Sequence, residues 1–158
     1  MILQTVTQVR APVRMKTQSL TAFYRSGPRL YVDGSFRERF DLDAHEQDQS
    51  TAECFYEVFL LKGDAYDRRI RGELPKDHLS TLVDVAGFIE AQPEGKQGCL
   101  LNNGGANIFY VEGKGREVFA VDVCWICDHG KWVVFDWHLG GGFWVVGSQV
   151  LSPRKHIL

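Results

Sequence analysis

Cys124 and Cys127 lie three residues apart and run directly into Asp128 and His129, with His138 nine residues further on. Two thiols and two imidazoles are chemically a tetrahedral zinc set. The spacing does not deliver one. Zinc knuckles carry their thiols around a tight turn bearing Gly or Pro, whereas Trp125 and Ile126 between these two are strand formers. On a strand, residues three apart point to opposite faces, and no second Cys-x-x-Cys pair is present. A thioredoxin-like redox centre needs a helix start whose dipole lowers the thiol pKa, and no helix signal follows Cys127. The thiols read as small buried apolar residues. No metal site and no cofactor is expected.

Asp136 and His138 share one strand face, and with a thiol nearby they suggest a cysteine-hydrolase triad. No Cys sits at the helix start that such enzymes favour, so no catalytic set is assigned. An enzyme, if this is one, would use a polar cleft around His129, Asp136 and His138. Asp77 and His78 are explained as a helix cap and its neighbour. Gly140-Gly141-Gly142 and Gly113-Lys114-Gly115 each lead into a strand, whereas phosphate loops lead into a helix whose amides hold the anion. Asp41-Leu42-Asp43 starts like a calcium loop, but Glu46 replaces the turn glycine and Ala52 the terminal acid.

Aromatic density is the more informative signal. Trp125, Trp132, Trp137 and Trp144 fall within twenty residues, among Phe109, Tyr110, Phe119, Phe135 and Phe143. A small sheet displaying aromatics stacks bases or sugars when basic groups lie beside it. It serves protein partners equally, and the same rings fill cores. Val133, Phe135 and Trp137 form one face of their strand, and Trp132 and Val134 the other. One face is core; the other must meet the helix, the N-terminal hairpin or a partner.

Charge is unevenly placed. Residues 1–32 carry Arg10, Arg14, Lys16, Arg25 and Arg29 and no acid, while residues 41–64 carry seven acids against Lys62. The basic start has three readings: a mobile arm that meets phosphates, an Arg-rich transit peptide, or a first strand docked on the acidic stretch.

The elements that would position these residues are read from periodicity. Residues 1–9 alternate weakly, as an edge strand or an arm. Asp33-Gly34 between two β-prone runs predicts a hairpin. Residues 43–49 read as a loop, 54–62 as a strand and 63–76 as a charged connector. Leu79, Leu82, Val83, Ala86 and Ile89 give a helical stripe, predicting one main helix over 77–92 with Asp77 or Ser80 as cap. Strands are expected at 98–101, 107–112, 117–127, 131–137 and 143–151, joined by short turn-rich links. The strand 117–127 is apolar on both faces and should be central.

The chain has 158 residues, 44% apolar and 24% charged, with a formal net charge of -2. These values fit one globular domain and exclude a basic nucleic-acid coat. No run of apolar residues is long enough for a transmembrane helix, no secretory signal is read at the start, and four scattered thiols suit a reducing cytosol, prokaryotic from the compact loops. The expected fold is α+β: a C-terminal five-strand antiparallel meander, as a small barrel or curled sheet, one main helix, and an N-terminal strand or hairpin layer. Residues 1–28 form a basic segment able to act as a mobile arm, and 29–158 a single domain. The expected function is a non-enzymatic binding module in the cytoplasm, away from membranes. Its aromatic sheet, with Trp125, Trp132, Trp137 and Trp144, takes a protein partner or a second copy. The alternatives are nucleic-acid binding through Arg10, Arg14, Lys16, Arg25 and Arg29 with the same sheet, and a small hydrolase or metal-dependent enzyme at His129, Asp136 and His138.

Overall fold

The computed structural model describes residues 1–14, 18–47 and 54–154. Among them the fold is mixed α+β. The strands are β1 (Leu3–Arg10), β2 (Leu30–Val32), β3 (Phe55–Leu61), β4 (Ala65–Tyr66), β5 (Asn107–Glu112), β6 (Val118–Ile126), β7 (Lys131–His138), β8 (Phe143–Trp144) and β9 (Gln149–Arg154). The helices are α1 (Leu20–Phe23), α2 (Phe36–Arg39), α3 (Leu42–Gln47), α4 (Asp67–Glu73) and α5 (Leu82–Glu90). Seven strands form one sheet in the order β1-β3-β9-β5-β6-β7-β2, and β4 pairs with β8 in a separate ribbon. No helix among the described residues is long and apolar enough to cross a membrane.

Only part of the expected meander exists. β5, β6 and β7 pair antiparallel in sequence order, with β6 in the interior of the sheet as its two apolar faces require. The expected last strand is divided. Gly147 turns the chain at φ +91°. β8 then stays with the ribbon, while β9 pairs antiparallel with β3 and parallel with β5. The sheet is thus mixed and open rather than a five-strand barrel. Residues 98–101 are not a strand either. The side chain of Gln92 bonds both backbone groups of Leu100, accepting its N–H at 2.7 Å and donating to its carbonyl at 3.1 Å. That satisfies the polar backbone without a neighbouring strand.

The hairpin at Asp33-Gly34 is also replaced. β2 pairs parallel with β7, and the chain turns into α2. The reason is a helical spacing: Phe36 and Phe40, four residues apart, are both buried, with ring centroids 4.7 Å apart. The main helix is shorter than 77–92. Thr81 caps α5, its hydroxyl accepting the Asp84 N–H at 3.2 Å, while Ser80 instead bridges to Val111 of β5. α5 is buried nearly all round, because the segment at Pro12 crosses its outer side. A Cβ on Gly87 would stand 2.6 Å from the Pro12 carbonyl oxygen. α1, α2, α3 and α4 arise in stretches without a long apolar stripe. Each is short, and tertiary packing rather than propensity sustains it.

Two apolar layers follow. One face of the sheet packs against α1, α2, α3 and α5, joining Trp132, Val134, Val121, Val123 and Phe109 to Leu20, Phe36, Leu82 and Phe88. On the other face Ile70 of α4 and Leu74, which caps its end, lie over Phe59, Leu61, Ile108, Tyr110 and Ala120. The N-terminus belongs to this frame. β1 pairs with β3 through a bulge between Thr5 and Thr7, and the Glu73 carboxylate accepts the Ile2 and Leu3 amides at 2.9–3.1 Å.

Candidate recognition surface

α4 and the β4–β8 ribbon cover the second face only over its β1-to-β6 side. Beyond Ala120, among the described residues, Trp137 of β7 and Tyr31 of β2 stand exposed on this face, while Val133 between them in the register is buried. Register places Trp137 beside Ala120, Phe135 beside Asp122, and Tyr31 beside Val133. Their rings form a row, Tyr31 to Phe135 at 6.1 Å and Phe135 to Trp137 at 5.8 Å. Trp137 is 50% exposed and Tyr31 44%.

A second group of exposed residues lies past the end of β7, Phe143 lining the same cleft as Trp137. The β4–β8 ribbon holds Tyr66 and Phe143 with rings 6.0 Å apart, 60% and 56% exposed, beside Val145 and Val146 at 57% and 58%. Isolated exposed apolar residues are ordinary, but a contiguous group of large ones marks a contact surface. The ribbon is anchored and not loose. The Val146 N–H donates to Asp64 at 2.8 Å, the Gly147 N–H to the Leu61 carbonyl at 3.0 Å, and the Trp144 indole N–H to Asp67 at 2.7 Å.

A cleft of about 430 Å³ opens between Trp137, Phe143, Trp144, Asp33, Arg39 and the Gly141-Gly142 turn. Two buried carboxylates border it, and both are occupied by internal donors. Asp67 accepts from the Tyr110 hydroxyl at 2.8 Å, from Trp144, and from the Gly140 N–H at 3.3 Å. Burial, with Asp67 adding to it, pushes the Tyr110 phenol far up, so it stays a donor. Asp136 accepts from Ser35 at 3.0 Å and pairs with Arg39 at 2.8 Å. Burial raises the Asp136 carboxyl, against the pull of Ser35 and Arg39. Arg39 also donates to the Asp136 carbonyl at 2.9 Å and lies 5.2 Å over the Phe119 ring. These groups tie α2, α4 and the turn after β7 to the sheet. Asp33 and His138 also line the cleft, so that the sequence-predicted Asp136, Trp137, His138 and Trp144 meet there beside Phe143.

The structure distributes the sequence-predicted residues widely. Trp132 is buried, its indole N–H on the Gln92 carbonyl at 2.8 Å. Trp125 packs on Trp132 with rings 5.4 Å apart. Trp144 is half-buried on Asp67, and Trp137 alone of the four is exposed. Arg14 is buried, paired with Glu46 at 2.8 Å and bonded to the Gln18 carbonyl. Arg10 lies 5.5 Å over the Phe55 ring on β1, five strands from β7 and thus roughly 24 Å away at ordinary strand spacing. Arg25 and Arg29 are exposed on the link from α1 to β2, and Lys16 falls outside the described residues. Arg10 and Arg14 are therefore remote from the exposed aromatics, whereas Arg29 lies two residues before Tyr31, just ahead of β2, its carbonyl accepting the Trp132 N–H at 3.3 Å. His129 lies in the turn before β7 and His138 at its far end, with β7 spanning roughly 23 Å between them, and the His138 Nδ1 faces Glu117 at 3.2 Å. Among the described residues no three His, Cys, Asp or Glu side chains converge on a metal position. Sequence reasoning missed Tyr66 and the arginines of α4, which were hidden in the charged connector. It missed Tyr31 as well, whose outward direction follows only from the parallel pairing of β2.

Compared with known protein families, curated proteins and solved structures, the chain matches none of them.

Proposed function

We propose that the protein is a binding module that recognises a protein partner through the exposed aromatic surface of β7, β2 and the β4–β8 ribbon. The observation that carries this reading is the set of exposed rings, Tyr31, Trp137, Phe143 and Tyr66, with the more covered Phe135 between the first two, on an internally anchored frame. Interface centres are enriched in such rings because they bury large area at small entropic loss. The two buried carboxylates beside the cleft, Asp67 and Asp136, are engaged by Tyr110, Trp144, Ser35 and Arg39, which favours a positioning role for these two over proton transfer. The test compares wild-type protein with a Trp137→Ser/Phe143→Ser double variant. Phe143 is a surface site, and losing the Trp137 indole from the buried Asp122 carboxyl costs more, so melting should shift by about 1–2 kcal/mol equivalent with the protein still folded. Affinity capture from the host with mass spectrometry should then retain a defined protein on wild type and lose it on the double variant. The same retained set from both proteins would remove the reading. Light scattering across concentration identifies the case in which the partner is a second copy.

A further inference from the structure

Beside the aromatic ribbon runs a second groove, of about 830 Å³, bordered by Tyr66, Arg68, Arg69, Arg71, Leu139 and Gly140. From this groove we infer the chemistry of the partner: an acidic protein segment, whose carboxylates meet the α4 arginines while its apolar side chains meet Tyr66, Phe143, Val145 and Val146. The inference rests on the proposed protein-binding role of that surface.

Arg68, Arg69 and Arg71 line the groove, and the α4 acids Asp67 and Glu73 are engaged elsewhere. Asp67, in the groove wall, is buried and holds Tyr110, Trp144 and Gly140. Glu73 directs its oxygens to the Ile2 and Leu3 amides and leaves Arg69 at a loose 3.9 Å. Arg68 is exposed and has no ion pair or hydrogen bond among the described residues. Arg71 is pre-positioned: its Nε–H donates to His78 Nε2 at 2.9 Å and its guanidinium lies 5.7 Å from the Tyr110 ring centroid. Arginine presents a planar fork of donors suited to carboxylates. Apolar anchors flanked by such forks complement an acidic, apolar-anchored segment by charge as well as by shape. Nucleic acid offers anions too. But exposed Val145 and Val146 stack no base, and the net charge of -2 gives no wider field for a phosphate backbone.

The experiment selects randomised displayed peptides on the immobilised full chain. Enriched sequences are then made with a fluorescent label and titrated by anisotropy against wild type, Arg68→Ser/Arg69→Ser and Phe143→Ser. A single-stranded oligonucleotide is titrated alongside. The expected result is enrichment of peptides carrying Asp or Glu next to aromatic or aliphatic residues. Their affinity should fall roughly tenfold or more in each variant and weaken with salt. Enriched apolar peptides that need Phe143 but not the arginines would overturn the acidic partner and leave the aromatic surface standing. Peptides that need neither would overturn both. Oligonucleotide binding lost in the arginine variant, with no acidic peptide enriched, would reassign the groove to phosphates and overturn the inference.

Discussion

Replacing Asp122 with Asn is expected to stabilise the protein, and to do so more strongly as pH rises. Asp122 lies on β6 opposite Phe135 and is only 7% exposed. Burial pushes its carboxyl up to about 6 from an ordinary 3.8. The Cys124 thiol at 3.1 Å, the Asn107 backbone N–H and the Trp137 indole offset this only in part. A folded acid with a raised pKa holds its proton where the unfolded chain has lost it. The native state therefore binds more protons between about pH 4 and pH 6, and stability falls as pH rises through that window. Two units at about 1.4 kcal/mol each set an upper bound of about 3 kcal/mol on the penalty at neutral pH. Asn keeps an acceptor for Cys124 but brings an amide to desolvate, so the net gain should be about 1–2 kcal/mol. For a domain of this length that is a rise in Tm of roughly 2–8 °C. Urea unfolding of both proteins near pH 4 and near pH 7.5 reads the effect, with the variant's advantage close to zero at the lower pH. A variant destabilised equally at both pH values would refute the reasoning. It would mean that Asp122 acts through geometry that Asn cannot reproduce, and not through the cost of a buried charge.

Three further perturbations test the frame beneath the surface. Asp67→Asn removes charge-assisted bonds to Tyr110, Trp144 and Gly140. It should cost about 2–4 kcal/mol and speed hydrogen exchange at Gly140, measured by chemical denaturation and by NMR. Gly87→Ala should cost roughly 1–3 kcal/mol, because its Cβ would meet the Pro12 carbonyl at 2.6 Å. A neutral outcome in denaturation would show that the Pro12 segment yields freely. His78 is held neutral, its Nδ1–H on the Pro75 carbonyl and its Nε2 accepting from Arg71. Burial lowers its pKa, against Pro75 and with Arg71. That stability is fully present above about pH 6.5 and is lost as pH falls through the folded value. The stability–pH profile of His78→Gln should be flatter there than that of wild type.

Several features of the fold are legible in single segments. The β3 strand, the apolar stripe of α5 and the two-faced run of β6 carry their own periodicity, and the β5-β6-β7 hairpins carry their turn residues. What is not legible is non-local or short. The parallel pairs β2–β7 and β5–β9 join strands with long intervals of chain between them, and no local pattern specifies them. Phe36 and Phe40 signal a helical turn, but four residues are too few to outweigh Asp33-Gly34 as a hairpin signal. α4 hides in a charged stretch because Ile70 and the following Leu74 are its only buried apolar anchors among the described residues, the rest being the polar bonds of Asp67 and Glu73. The candidate surface follows the same rule. Alternation along β7 separates Trp132 from Trp137, yet which of the two is core depends on where α5 and α4 lie. That in turn depends on the complete topology. Arg14 shows the limit of charge counting: a residue in a basic stretch is buried between Glu46 and Glu90.

The most direct test of the central claim is site-specific photo-crosslinking in the living host. A photoreactive phenylalanine analogue replaces Phe143 in one strain and Gln8, exposed on β1, in another. A recognition surface at the β4–β8 ribbon predicts a discrete protein adduct from position 143 and none from position 8. Absence of an adduct at 143, or the same adducts from both positions, would contradict the account.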